Sequence, residues 1–292
     1  MVVGVDGSEH AGLAVDWAVD AAVREHRRLV LLHAWHLPVA PVAVGVYDES
    51  ELHEALDQAG RAILDQARDR ARTRAGGHDL EITPRLVSGE SAAQAMVDES
   101  IQAGLLVLGS RGLGGFAAVL LGSVAMHVAA HARCPVVVIR GVPAGIDGPV
   151  VVGVDGSTHT QQALAFGFEQ AAARGVGLLA VHVWRSTSPD ELDAASASVP
   201  GVPEAEMLSR RLLSEQLAGW VAQYPDVPVS TAVEHGAIVP SLVRTGHQGC
   251  LLVVGSRGLG GFSGLLLGSV SRGLLDHADS PVAIVRADRP VT

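Results

Sequence analysis

A chain of 292 residues with a formal charge of −10, 48% apolar and only 18% charged, is long enough for two domains that each bury a core and too apolar for disorder. All 21 basic residues are arginine and they are scattered, so no basic stripe is available for nucleic acid or an anionic membrane, and no lysine for a P-loop, a kinase site or a Schiff base. The 2 cysteines, Cys134 and Cys250, form no CxxC pair or zinc-type spacing, and neither a basic leader before an apolar core nor an unbroken apolar span is present, so a cytoplasmic location is expected.

In chain order, an apolar run at residues 2–5 predicts a first strand that stops at the turn sequence Asp6-Gly7-Ser8. A second strand is expected at 29–35. Beyond it Leu52, Leu56, Ala59, Ile63 and Ala67 recur at spacings of three and four, which predicts one apolar face on a long helix, while the arginines from Arg61 to Arg74 alternate with acidic residues and read as its solvated face. Further strands are expected at 80–87, 105–108 and 136–139. These are the short Val, Ile and Leu runs of parallel strands covered on both faces.

The plan is then repeated. VVGVDGS at 2–8 returns at 151–157, LLHAW at 31–35 returns as AVHVW at 180–184, and CPVVVIR at 134–140 returns as SPVAIVR at 280–286. The stretch 141–149, GVPAGIDGP, is rich in Gly and Pro between two apolar runs and reads as a connection. Domains are therefore expected at 1–141 and 149–292, with a linker at 142–148.

The longest shared sentence is GSRGLGGFAAVLLGSV at 109–124, which differs from 255–270 at three positions. In both copies the glycines stand as G-x2-G-x9-G-S: Gly109, Gly112, Gly122 and Ser123, then Gly255, Gly258, Gly268 and Ser269. The first glycine closes an apolar strand and the Gly-Ser pair opens a helix-like run. A glycine there lets backbone approach a ligand, and a helix start offers unpaired N–H groups and a positive dipole end to an anion. Ser123 and Ser269 are N-cap candidates, their hydroxyls alternatively donating to a phosphate oxygen. The loop is neither a Walker loop nor a dinucleotide fingerprint, and no structural requirement for its spacing is evident.

With these motifs the chain resembles a tandem member of the ATP-binding branch of the universal stress protein family, over nearly its whole length and with the family's glycine pattern complete in both halves. The resemblance implies an α/β fold of two Rossmann-like domains of the adenine nucleotide alpha hydrolase type, each a five-stranded parallel sheet with helices on both faces. It implies one ATP per domain, with magnesium or manganese on the phosphates. It places Asp6 and Asp155 beside the ribose, the phosphates or a bound metal ion, and Ala34, Leu108, Val183 and Val254 against the adenine. The motif glycines, Ser123, Ser269, Val124 and Val270 would line the phosphates, and pairing through the last strands, as a homodimer or domain with domain, would follow. The acidic residue usual before the fourth strand is replaced by Gly104 and Cys250, and the first copy begins almost on its first strand.

Taken singly, Asp6 and Asp155 read either as ligand-end carboxylates or as bonds to their own turns. Arg111 and Arg257, the basic side chains of the loops, read equally as phosphate partners or as solvated loop tips. His33 and His182 are expected as satisfied strand histidines, and His127 with His131, four apart on a helix, as an improbable metal pair because the second copy has Gly273 and His277 there. No nucleophile is paired with a base, which points to a nucleotide-dependent regulator rather than an enzyme; a slow ATP hydrolase and a nucleotide-free interaction module are the competing classes. The apolar edges ending at Ile139 and Val285 would need covering by each other or by another chain.

Overall fold

A computed structural model describes residues 1–37, 49–112, 121–140, 147–185, 202–259 and 266–286. The chain divides into two compact units, Met1–Arg140 and Gly141–Thr292. The expected linker at 142–148 lies outside the described residues except for Asp147 and Gly148.

The first unit runs β1 (Val2–Gly4), α1 (Glu9–Arg24), β2 (Leu29–Trp35), α2 (Glu49–Ala75), β3 (Ile82–Ser88), α3 (Ala92–Glu99), β4 (Leu106–Gly109), α4 (Ser123–His131) and β5 (Val136–Ile139). Its five strands are parallel in the order β3-β2-β1-β4-β5. The second unit runs β6 (Val150–Gly153), α5 (Thr158–Arg174), β7 (Leu178–Trp184), α6 (Val202–Gln223), β8 (Val229–His235), α7 (Ile238–Gly246), β9 (Leu251–Gly255), α8 (Ser269–His277) and β10 (Val282–Val285). Its strands are likewise parallel, in the order β8-β7-β6-β9-β10.

Right-handed crossovers explain the layers. From β1 to β2 to β3 the chain steps one way across the sheet, so α1 and α2 share a face and contact each other; from β3 to β4 to β5 it steps the other way, and α3 and α4 share the opposite face. Strands covered on both faces must be apolar at every position, and all four residues of β5 and of β10 are buried. The edge strand β3 is different. It begins two residues later than the apolar pattern suggests, carries Pro84 and the exposed Arg85, and tolerates a residue without an N–H because one side of it is unpaired.

The long helix forms over residues 49–75, but the expected face is only the margin of its buried one. Leu56, Ile63 and Ala67 are half-buried, Leu52 is 41% exposed and Ala59 is exposed, whereas Gly60, Leu64, Ala71 and Ala75 are buried. The centre of the face is turned by somewhat less than one residue, whose step is roughly 100°. Gly60 is the reason: a Cβ there would come within 2.7 Å of the Leu86 side chain and 3.0 Å of the His33 ring, so the helix seats on the sheet at a residue that contributes nothing to a hydrophobic pattern. Part of the arginine face is also not merely solvated. Arg70 donates to both carboxylate oxygens of Asp16 at 2.8 and 2.6 Å, and Arg74 to both of Asp20 at 2.8 and 2.5 Å, so two forked pairs join α2 to α1.

The turned face is testable. Leu64→Ala should cost about 2–5 kcal/mol of stability in urea unfolding, and Leu52→Ala should stay within about 0.5 kcal/mol of the parent; equal effects would refute this seating of α2.

Candidate functional site

Between β1 and β4 the strand order reverses, since the connections from these neighbouring strands leave on opposite faces, and the gap this opens at the carboxyl ends is where such sheets accept ligands. A cleft of about 510 Å³ lies there, and one of about 560 Å³ lies at the matching place between β6 and β9. The first is bordered by Asp6, Ala34, Leu108, Gly109, Arg111, Gly112, Gly122, Ser123 and Val124, and the second by Asp155, Val183, Val254, Gly255, Arg257, Gly258, Gly268, Ser269 and Val270. The structure thus brings the expected site residues of each half to one cleft.

The aspartates leave β1 and β6 in turns closed by Gly7 and Gly156, whose φ of 85° and 81° lie in the left-handed region that suits glycine. Asp6 Oδ1 accepts the Ser8 N–H at 3.0 Å, and Asp155 Oδ1 accepts that of Ser157 at 2.9 Å. Each carboxylate thus bonds its own turn, as one alternative has it, and also borders the cleft.

Two motif glycines have a structural duty that the spacing alone did not reveal, and this corrects the expectation that none exists. A Cβ on Gly109 would lie 2.6 Å from the backbone of His10 in α1, and one on Gly255 would lie 2.9 Å from His159 in α5. A Cβ on Gly112 or Gly258 would overlap Oδ2 of Asp6 or Asp155. In the second unit the Leu259 N–H reaches that oxygen at 3.0 Å, so the loop is laid over the carboxylate and side chains there would lift it.

The third glycine corrects another expectation. Gly122 and Gly268, not Ser123 and Ser269, are the N-caps of α4 and α8, and neither cap makes a side-chain hydrogen bond to its first turn; among the described residues no side chain accepts there. By contrast, Ser8 and Ser91 cap α1 and α3 with side-chain oxygens at 3.2 and 3.3 Å. In the first cleft the wall at this place is Ser123, Val124 and Ala125, in the second Ser269, Val270 and Ser271, so each nine-residue helix presents its positive end to the cavity without an internal acceptor. Beside it, Nε of Arg111 and Nε of Arg257 are buried without a hydrogen-bond partner, as are the hydroxyls of Ser110 and Ser256. Cationic donors left over at an uncapped helix start make a place for an anion.

Several cleft residues carried no motif. His33 and His182 border the clefts, and Nδ1 of each lies 2.7 Å from the carbonyl of Val5 or Val154; a carbonyl only accepts, so Nδ1 donates the proton of that bond. The satisfied-histidine reading describes these rings, and their recurrence in LLHAW and AVHVW was the available signal. Ala92 and Met96 of α3, and Ile238 and Leu242 of α7, close the apolar side of each cleft. His127 and His131 stack with ring centroids 4.1 Å apart, and His131 Nδ1 bonds the His127 carbonyl at 2.8 Å, so the two do not converge on a common point. Among the described residues no group of three or more His, Cys, Asp or Glu is arranged to hold a metal ion, and no helix is long and apolar enough to cross a membrane.

Burial pushes the Asp155 carboxyl up, but donors from Thr160, Ser157 and Leu259 outweigh it and hold the group below the usual carboxylate range.

The universal stress protein family model matches residues 1–140 and again 148–286. A universal stress protein of Mycolicibacterium smegmatis is 37% identical over 302 residues, covering 98% of this chain and 96% of that protein. A universal stress protein of Mycobacterium tuberculosis is 39% identical over 299 residues, with the same coverage of 98% and 96%. Among solved structures, a universal stress protein from Archaeoglobus fulgidus aligns over 98% of this chain and 95% of its own at a TM-score of 0.69 and 18% identity, a likeness of fold.

The Asp155 hydrogen bonds predict a pH dependence of definite sign. Its folded value is depressed, so its share of stability is complete above the unfolded carboxylate value and is lost as pH falls through the folded one. Carboxyl-carbon NMR should show a midpoint below that of a free aspartate, and Thr160→Ala should raise it; an ordinary midpoint in the parent would contradict the geometry.

Proposed function

The chain belongs to the universal stress protein family as a tandem of two family domains, and from that premise we propose that each domain binds one ATP and that the protein is a nucleotide-dependent regulator in stress response or growth control. The observation that carries this reading is the start of α4 and of α8: a glycine cap, first-turn N–H groups without a side-chain acceptor among the described residues, and a buried Arg Nε without a partner, all at one cleft in each unit. This is a donor set for phosphate oxygens. Deeper in, Ala34, Leu108 and Met96, or Val183, Val254 and Leu242, offer an apolar slot of the size and character that an adenine ring fills.

In this reading the glycine loop, the helix start and Arg111 or Arg257 bind the phosphates, and the aspartate faces the sugar side. One carboxylate per cleft is too few to hold a divalent cation unaided, so magnesium or manganese would arrive on the nucleotide and take at most one oxygen from Asp6 or Asp155. The protein acts by binding rather than turnover: occupancy orders the loop over the cleft and biases association through the last strands, β5 and β10, as a homodimer or domain with domain, and with it the surface offered to a regulatory partner. The glycine spacing no longer argues for this by itself, since Gly109 and Gly112 are needed for packing; the uncapped helix starts do.

Two experiments test the reading. Denaturing the purified chain and identifying the released nucleotide by chromatography with mass detection should give ATP at about two per chain, or binding of about two on titration of nucleotide-free protein, as one ligand fills each switch-point cleft; absence of both would refute it. Arg111→Ala with Arg257→Ala should weaken ATP about tenfold and AMP much less, the loss expected of a charge-assisted contact to the outer phosphates, and equal losses would remove the arginines from that role.

A further inference from the structure

Each unit carries a tryptophan at the end of its second strand, and the two are held differently. In the first unit Trp35 is 8% exposed, donates its Nε1–H to Asp57 Oδ1 at 2.9 Å and meets the His53 ring edge-on, with centroids 5.3 Å apart. Ser88, in register with it on β3, donates to the same carboxylate oxygen at 2.6 Å. In the second unit the residue in register with Trp184 is His235, whose ring centroid lies 4.2 Å from that of the indole at a tilt of 32°. Of the chain's 4 tryptophans, Trp184 alone borders either cleft.

Its place on the strand determines what that indole can touch. Side chains alternate along a strand, so Val181 and Val183 leave β7 on one face and His182 and Trp184 on the other. Gly153, in register with Val181, would point a Cβ at the Leu242 side chain 3.4 Å away, so the valine face is the one covered by α7. Residues of both faces border the cleft, which therefore straddles the strand ends. Its α7 side is aliphatic, closed by Ile238 and Leu242. On the other side the His182 ring is tied through Nδ1 to the Val154 carbonyl, and Trp184, backed by His235, supplies the large aromatic surface. An aliphatic wall on one side and an indole on the other suit a flat aromatic group, which gains dispersion and offset stacking there, whereas a sugar or phosphate gains little.

We propose that Trp184 is the specificity-determining residue for the nucleobase in the second cleft, stacking on the base opposite the α7 wall and favouring a purine over the smaller pyrimidine. This rests on the ATP binding proposed above and names the group that reads the base. The donors at the start of α8 and Arg257 recognise charge and cannot tell one base from another, so discrimination falls to the apolar end of the cleft. His235 acts through Trp184, as a positioning residue that supports the indole from its far side.

Titrating the full, nucleotide-free chain with ATP, UTP and inorganic tripolyphosphate, by calorimetry and by tryptophan fluorescence, separates the base from the phosphates. ATP should change the fluorescence and tripolyphosphate should not; Trp184→Phe should remove most of that change and Trp35→Phe should keep it. Trp184→Ala should weaken one of the two ATP equivalents about tenfold, within the range of a base–aromatic contact, narrow the preference for ATP over UTP at that equivalent, and leave tripolyphosphate binding as in the parent. An ATP-induced change as large in Trp184→Phe as in the parent, parent affinity at both equivalents in Trp184→Ala, or equal losses of ATP and tripolyphosphate would overturn the inference while leaving ATP binding standing. A parent chain that binds no ATP overturns both. Trp184→Phe keeps a ring in place and decides the outcome if Trp184→Ala fails to fold.

Discussion

The handedness of the β-α-β crossover governs the rest of this structure. Because each connection must turn the same way, reversing the direction of travel after β3 forces α3 and α4 onto the face opposite α1 and α2, and β1 and β4 are left as neighbours whose chains depart in opposite directions. The cleft is the unavoidable gap between those departures. Everything that makes it chemically useful is then placed by chain continuity: the residue after β1, the loop after β4 and the helix start that follows arrive at one spot because they are the exits of two adjacent parallel strands.

How closely those exits approach is set by what is missing. Gly109 lets the start of α1 press against the end of β4, and Gly112 lets the loop rest on the Asp6 carboxylate. With no side chain in the way, the loop's own N–H groups become the nearest donors, as Leu259 shows in the second unit. The same economy leaves α4 and α8 capped by glycine, so no cap side chain competes for the first-turn donors. A serine at the cap would stabilise the helix by only a few tenths of a kcal/mol, on the order of 0.3, and would fill the place where an anion binds.

Much of this is legible in the sequence, and the exceptions have physical causes. The α/β class follows from apolar runs that must be covered on both faces, and the strands at 29–35 and 136–139 match to the residue because they are fully paired or fully buried. The edge strand β3 is displaced because an unpaired, partly exposed strand need not be apolar throughout. The face of α2 is misread at Gly60, where the closest contact is made by a residue of no hydrophobicity. The N-cap is misassigned by one residue because Gly and Ser are both acceptable caps and only the backbone dihedrals distinguish them. The apolar cleft residues Met96 and Leu242 sit on short helices with no motif, so only the fold brings them to the loop.

Duplication makes the differences between the halves informative. Identical glycines at 109 and 255 meet the same packing demand, and identical arginines at 111 and 257 are left with the same unpartnered nitrogen, so these features follow from the fold and the motif together. Ala11 and Thr160 do not share a demand: either fits a buried first turn, and neither is required by the sheet. The hydroxyl of Thr160 is thus free of structural necessity, while its effect falls on the one carboxylate that faces the cleft and on the loop that carboxylate holds. A difference between two otherwise matched turns thus changes which hydroxyl holds one wall of the cleft, Ser8 in the first unit and Thr160 in the second, without altering the architecture of either half.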